Sequence, residues 1–228
     1  VIGTIRAVGV DVGARVLHAV VLDGSGRVAG VARWPADDPG EAVAAIMGWA
    51  AERPEAAGVG VDSPDAWSTA PHLGDGSLSP KFATARCGEI ALGRRHGVWV
   101  PWTTPVEPRP GTWMDAGIRL FAALRAAGLA AVEVYSHAVF AALAAGRRLR
   151  PKTSPAGRVQ RLALLAPLAL PPAAGHDHLD AAAAALVALH HATGRARPVT
   201  CGHDGSAIWL PSPPPLPAGV AEPALPPD

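Results

Sequence analysis

The sequence predicts an α/β fold: a mixed five-stranded sheet, antiparallel in strands one to three and parallel in strands one, four and five, with helices on both faces. Three observations predict it. The chain opens with short β-branched stretches flanked by glycines and turn residues, which read as an antiparallel meander. From residue 38 onward helical and strand patterns alternate, as they do in parallel crossovers. With 228 residues the chain can bury a sizeable core, and it needs neither disulfides nor a structural metal to fold.

The elements follow in order. "IRAVGVD" (5–11) and "RVLHAVVL" (15–22) read as strands, and "RVAGVARW" (27–34) returns after the hairpin turn Asp23-Gly24-Ser25-Gly26. Residues 38–52 read as a helix, with Asp38 as N-cap, Pro39 in the first turn and Glu41 completing a capping-box pattern. "AAGVGVDSP" (56–64) is a buried strand stopped by Ser63-Pro64. Residues 65–110 form an irregular insertion containing one helical stretch, 80–95. An amphipathic helix at 112–127 ends at Gly128, and "LAAVEVY" (129–135) is the fifth strand. Helices at 137–146 and 154–166 precede the alanine-rich helix of residues 175–192. Residues 197–211 read as a strand pair turning at His203-Asp204-Gly205. One domain therefore spans 1–211, and the proline-rich tail, 212–228, reads as extended and disordered.

Net charge is +1, so overall charge names no partner and only local clustering can. One cluster exists: "RRLRPKTSPAGRVQR" (147–161) carries six Arg or Lys and no acid. It can hold a nucleic-acid backbone, or it can be a solvated helix flank. Cys87 and Cys201 show no metal-ligand spacing and read as two free thiols in a reduced cytosol. No leader pattern opens the chain and no apolar run is long enough to span a bilayer, so a cytoplasmic protein without a membrane partner is expected.

The acids carry the functional signal. Asp11 ends strand one, Asp62 ends strand four and Glu133 sits near the end of strand five. If those strands are parallel neighbours, the acids gather at the carboxyl edge of the sheet, where open α/β sheets bind ligands. Asp177 and Asp180 lie three apart on one face of the last helix and could reach the same edge. Mg²⁺ or Mn²⁺ is the chemical reason for such a cluster, because hard cations take carboxylate and phosphate oxygens together. Without a cation, two like charges ~4 Å apart repel by about 4 kcal/mol at an effective dielectric near 20. Singly, each aspartate also fits a plainer role. Asp177 and Asp180 can start a helix, where its dipole stabilises an acid by roughly 0.3–1 kcal/mol.

Six stretches carry a family resemblance: "VGVDVGARVLHAVVLD", "VGVDSPDAW", "RCGEIALGRR", "VEVYSHAVF", "KTSPAGRVQRLALL" and "HDHLDAAAAALVA". Together they resemble the ribonuclease H-like superfamily and, within it, the DUF429 family of predicted nucleases. The last helix is also similar to that of RuvC-type Holliday-junction resolvases. The resemblance implies a metal-dependent nuclease acting on DNA or RNA. Asp11, Asp62, Glu133, Asp177 and Asp180 would be its catalytic acids, all but Glu133 holding the metal. Arg86, Lys152, Arg158 and Arg161 would contact substrate, although an exposed helical ion pair explains Arg86 and Glu89 equally well. Two other classes remain open: an ATP-dependent kinase-like relative, since "DVGA" suits an Asp-x-Gly hairpin, and a non-catalytic nucleic-acid-binding module.

Overall fold

The structure, a computed structural model, describes residues 7–50 and 58–212. Residues 5–6, 51–52 and 56–57 of the expected first strand, first helix and fourth strand lie outside these, as does the tail from 213.

The expected meander is present as β1 (Ala7–Val12), β2 (Val16–Leu22) and β3 (Val28–Pro35). The Asp23 carboxylate fastens the β2–β3 turn by accepting from Ser25 and from the Arg27 backbone N–H. Helix α1 (Pro39–Ala50) leads to β4 (Gly58–Asp62), which runs parallel to β1. The insertion carries α2 (Cys87–His96), and α3 (Trp113–Ala126) then leads to β5 (Ala131–Val134), parallel to β4. Helices α4 (Ser136–Ala144), α5 (Pro155–Leu164) and α6 (His176–Ala192) follow. The sheet order is β3-β2-β1-β4-β5.

Each sheet face has its own core. On one, Val8, Val10, Val59 and Val61 pack under α1 and α3 through Ile46, Leu120 and Phe121. On the other, α6 lies across the sheet beneath α4. Five consecutive alanines of α6, Ala181 to Ala185, are fully buried, so the helix is enclosed on all sides. It approaches closely because the strands present glycine to it. A methyl group on Gly9 would meet Ala181 O and Ala185 N, and one on Gly60 would meet Ala184 O, all well under 3.0 Å.

Three expectations are corrected. The helix expected over 80–95 is broken: a 3₁₀ turn at Pro80–Phe82 ends before α2 starts at Cys87. Arg86 is extended at the N-cap, and the Glu89 carboxylate accepts its backbone N–H, which sets the start of α2 there. The final strand pair is β6 (Ala196–Val199) and β7 (Ile208–Pro211), a separate two-stranded sheet without a tight turn at 203–205. Its loop docks on α2 instead: the Asp204 carboxylate accepts from Cys87 N and Ser206 Oγ from Gly88 N. Finally, Cys87 and Cys201 are joined as a disulfide rather than left as two free thiols. They lie 114 residues apart, beyond any local pattern. Among the described residues no helix is long and apolar enough to cross a membrane.

Candidate functional site

Strand register builds the site. Asp11 on β1 pairs directly with Asp62 on β4, and both follow a glycine two residues earlier that faces α6. Side chains alternate along a strand, so both aspartates share the α6 face at the strand ends. From α6, Asp180 is buried against them. Carboxylate oxygens of Asp11, Asp62 and Asp180 all lie within 4.8 Å of one another. Asp177, one turn earlier and half-exposed, approaches from the β2 side, where it joins Asp11 and His18 in a second grouping within 4.8 Å. His176 pairs with Asp177 at 3.0 Å, and His178 stacks edge-on against His18.

Glu133 stands apart from these acids. It pairs with Val61, not Asp62, so one residue of register turns it to the opposite face of the sheet. There it meets Arg86. The guanidinium donates to Glu133 Oε2 at 2.8 Å and also to Oε1, to Asp65 Oδ1 at 3.1 Å and to Thr104 Oγ1 at 3.2 Å. Glu89 completes the network by accepting from Thr104 N and Oγ1. Arg86 is 2% and Glu89 3% exposed, so they form a buried network and not an exposed helical pair. Burial pushes Glu133 up to about 7 against the pull of Arg86. Arg86 itself is held charged, because Glu133, Glu89 and Asp65 outweigh its desolvation.

The aspartates are held under electrostatic tension. Burial, then the charges of Asp62, Asp180 and Asp177, raise Asp11 to about 8. Burial and Asp180 raise Asp62 to about 7, although the Ser136 N–H at the start of α4 donates to it at 3.1 Å. Lys152 is the cation at the cluster, with Nζ 2.7 Å from Asp180 Oδ2. Desolvation opposes its charge, but Asp180 raises its pKa overall.

The cluster opens into a cleft lined by Asp11, Asp62, Asp180, Trp102, Trp113 and Tyr135, together with His137, Lys152 and Arg161. A neighbouring groove shares His137, Lys152 and Arg161 and continues along Arg148 and Arg150. Arg161 is 2% exposed. It donates to the carbonyls of Arg150 and Gly157, lies over the Phe140 ring, and keeps its Nε without a protein partner. Arg158 reaches away to the Pro172 carbonyl and takes no part in the cleft. Trp102 and Tyr135 are cleft residues that composition alone did not single out. For Tyr135 the signal is its place directly after Glu133-Val134 at the strand end; Trp102 lies in the insertion with none of the site acids beside it.

The donor set suits a hard divalent cation. Three converging carboxylates bring only oxygen, and a cation there would offset the burial and the mutual repulsion that keep Asp11 protonated near neutral pH.

A family model described as "Protein of unknown function (DUF429)" matches residues 9–203. No curated protein matches the chain. Among solved structures, a ROK family glucokinase from Streptomyces griseus in complex with glucose and AMPPNP is similar at 16% identity and a TM-score of 0.26. The similarity covers 60% of this chain and 35% of that one, so the chain spans about a third of the kinase's length.

Proposed function

The chain belongs to the DUF429 family, whose function is unknown, and from that premise we propose that it is a metal-dependent nuclease hydrolysing phosphodiester bonds in DNA or RNA. One observation carries the reading: three aspartates from two adjacent strands and one helix converge in a cleft that shares Lys152 and Arg161 with a neighbouring arginine-lined groove. Asp11, Asp62 and Asp180 would hold Mg²⁺ or Mn²⁺, with Asp177 beside them. A bound divalent cation supplies charge that polarises the phosphodiester and acidifies the attacking water.

The rest falls to the chain's own side chains. Ser136 N–H and Lys152 fix the orientation of Asp62 and Asp180. Lys152 and Arg161, with Arg148 and Arg150 beyond, offer cationic donors to phosphate oxygens along the groove. Trp102, 72% exposed, and Trp113 line the cleft and would offer aromatic rings for unpaired bases to stack on. Arg86 and Glu133 act at one remove, by anchoring the insertion that carries Trp102.

The test is cleavage of single-stranded, duplex and branched DNA and RNA with Mg²⁺ or Mn²⁺. Asp11→Asn and Asp180→Asn should each reduce the rate by about 100-fold or more, the scale of losing a group that sets a metal site. If the parent chain and Asp11→Asn are equally inert on every substrate, the nuclease reading fails.

Stability should report the same site. Asp11 and Asp62 keep their protons when folded at pH values where the unfolded carboxyls have released them. Between pH 3.8 and about 8 the folded chain therefore binds more protons, and metal-free stability falls as pH rises. Each carboxyl that stays protonated contributes a slope of about 1.4 kcal/mol per pH unit. Mn²⁺ displaces those protons, so it should raise the melting temperature more at pH 8 than at pH 6. Asp11→Asn should flatten both trends; an Mn²⁺ effect equal at both pH values and unchanged in Asp11→Asn would place the ion elsewhere.

A further inference from the structure

At the N-terminus of α2, four side chains from three segments meet. His72 comes from the insertion, Cys87 is the first residue of α2, and Cys201 and His203 lie in the β6–β7 loop. One ligand atom of each lies within 4.8 Å of all the others. His72 Nε2 is 3.2 Å from Cys201 Sγ and 3.7 Å from Cys87 Sγ, and His203 Nδ1 is 3.9 Å from Cys201 Sγ. Ligands around tetrahedral zinc, with Zn–S near 2.3 Å and Zn–N near 2.0 Å, sit about 3.5 Å apart for sulfur and nitrogen. The observed spacings bracket that value.

We propose that, when Cys87 and Cys201 are reduced, this Cys₂His₂ cluster binds one structural Zn²⁺.

Several features support it. Two thiolates and two imidazoles form a soft, closed set that favours zinc over the hard cation suited to the aspartates. His72 is 6% exposed, and among the described residues the two sulfurs are the polar atoms within hydrogen-bonding range of its Nε2. The surroundings are already built. His203 N–H donates to Cys87 Sγ at 3.2 Å, and the Asp204 carboxylate accepts from Cys87 N at 3.1 Å and from Ser206 N at 2.9 Å. Cys87 opens a helix, where the dipole favours an anionic ligand. The Cα atoms of the two cysteines are 5.0 Å apart, and moving the sulfurs to the roughly 3.8 Å of a zinc site needs rotation about side-chain bonds.

Disulfide and zinc are alternative staples of the same two segments. A phosphine reductant opens the disulfide by taking up the oxygen of one water, whose two hydrogens complete two thiols. Zinc then replaces both thiol protons, which are released to solvent. Either staple ties the insertion to the β6–β7 loop at the residue next to Arg86.

The test uses the full chain, reduced with tris(carboxyethyl)phosphine and supplied with Zn²⁺ or Co²⁺. Elemental analysis should find about one zinc per chain, as a single four-ligand site requires. Co²⁺ should give the intense visible bands of a tetrahedral site together with thiolate charge-transfer absorption. Cys201→Ser and His203→Gln, the latter at an exposed position, should lose both signals, whereas Asp11→Asn and Asp180→Asn should keep them. The proposal does not rest on the nuclease reading, and the aspartate variants separate the two. It is overturned if the folded, reduced chain, with two thiols titrating, takes up no zinc and shows no tetrahedral cobalt spectrum. It is equally overturned if Cys201→Ser and His203→Gln retain the metal.

Discussion

Replacing Arg86 with methionine should destabilise the protein by about 3–5 kcal/mol, the usual consequence of removing one partner from a buried ion pair. Arg86 neutralises Glu133, Glu89 and Asp65 at once, and Glu133 and Glu89 are themselves buried. Methionine fills much of the space but leaves two buried carboxylates without a cation. For a chain of this size the melting temperature should fall by roughly 6–20 °C. The deficit should also depend on pH. Burial already raises Glu133 to about 7 with Arg86 present, and loss of the guanidinium removes the group that holds it down. Glu133 can then enter the folded state protonated, at a cost that is small at pH 5 and grows as pH rises above the ordinary carboxylate range. The deficit is therefore smallest near pH 5 and grows as pH rises toward the raised value of Glu133, where a lone buried charge takes over. Chemical denaturation at pH 5 and pH 8 checks this. A loss under about 1 kcal/mol, or one independent of pH, would mean that the network does not organise the insertion.

Gly60→Ala should cost about 3 kcal/mol, the upper end for overpacking a core. The added methyl meets the Ala184 carbonyl and backbone of α6, not the movable end of a side chain. Relief requires lifting the helix from the sheet, which also moves Asp180 away from Asp62. Stability and Mn²⁺ binding should therefore fall together, with a melting temperature lower by roughly 6–12 °C. Gly48→Ala, where the new methyl meets nothing within 4 Å, is the control and should be near neutral or stabilising. If Gly60→Ala matched that control, the close approach of helix and sheet would not be what positions the site.

Much of this architecture was legible because it is local. Glycine-flanked β-branched runs, the Asp23-Gly24 turn and the alanine-rich helix announce themselves within a few residues, and alternation of helix and strand orders the sheet. Asp11 and Asp62 were legible as a pair because each ends a strand of the same Val-Gly-Val-Asp pattern. Glu133 was misplaced among them because position near a strand end does not fix parity. One residue of register against β4 turns it to the other face. The Arg86 network was hidden since its partners lie 47 and 21 residues away, at Glu133 and Asp65. His72 and Cys201 meet across 129 residues, which no spacing rule spans. The break before α2 escaped notice because the residue that caps the helix is an arginine, and its usual cappers are Ser, Thr, Asp and Asn.

The alanine and glycine contact between α6 and the sheet has one more consequence. Alanine and glycine have no rotamers to surrender, so docking this helix costs almost no side-chain entropy, in contrast to an interface of leucine or methionine. Where it crosses the glycines of β1 and β4 the helix gains no freedom to re-pack when warmed, because the contacts there are made by backbone and methyl groups. Asp180 is thus carried on a mount without internal rotation. Its distance from Asp11 and Asp62 should drift less with temperature than the positions of side chains on the opposite, valine- and phenylalanine-filled face.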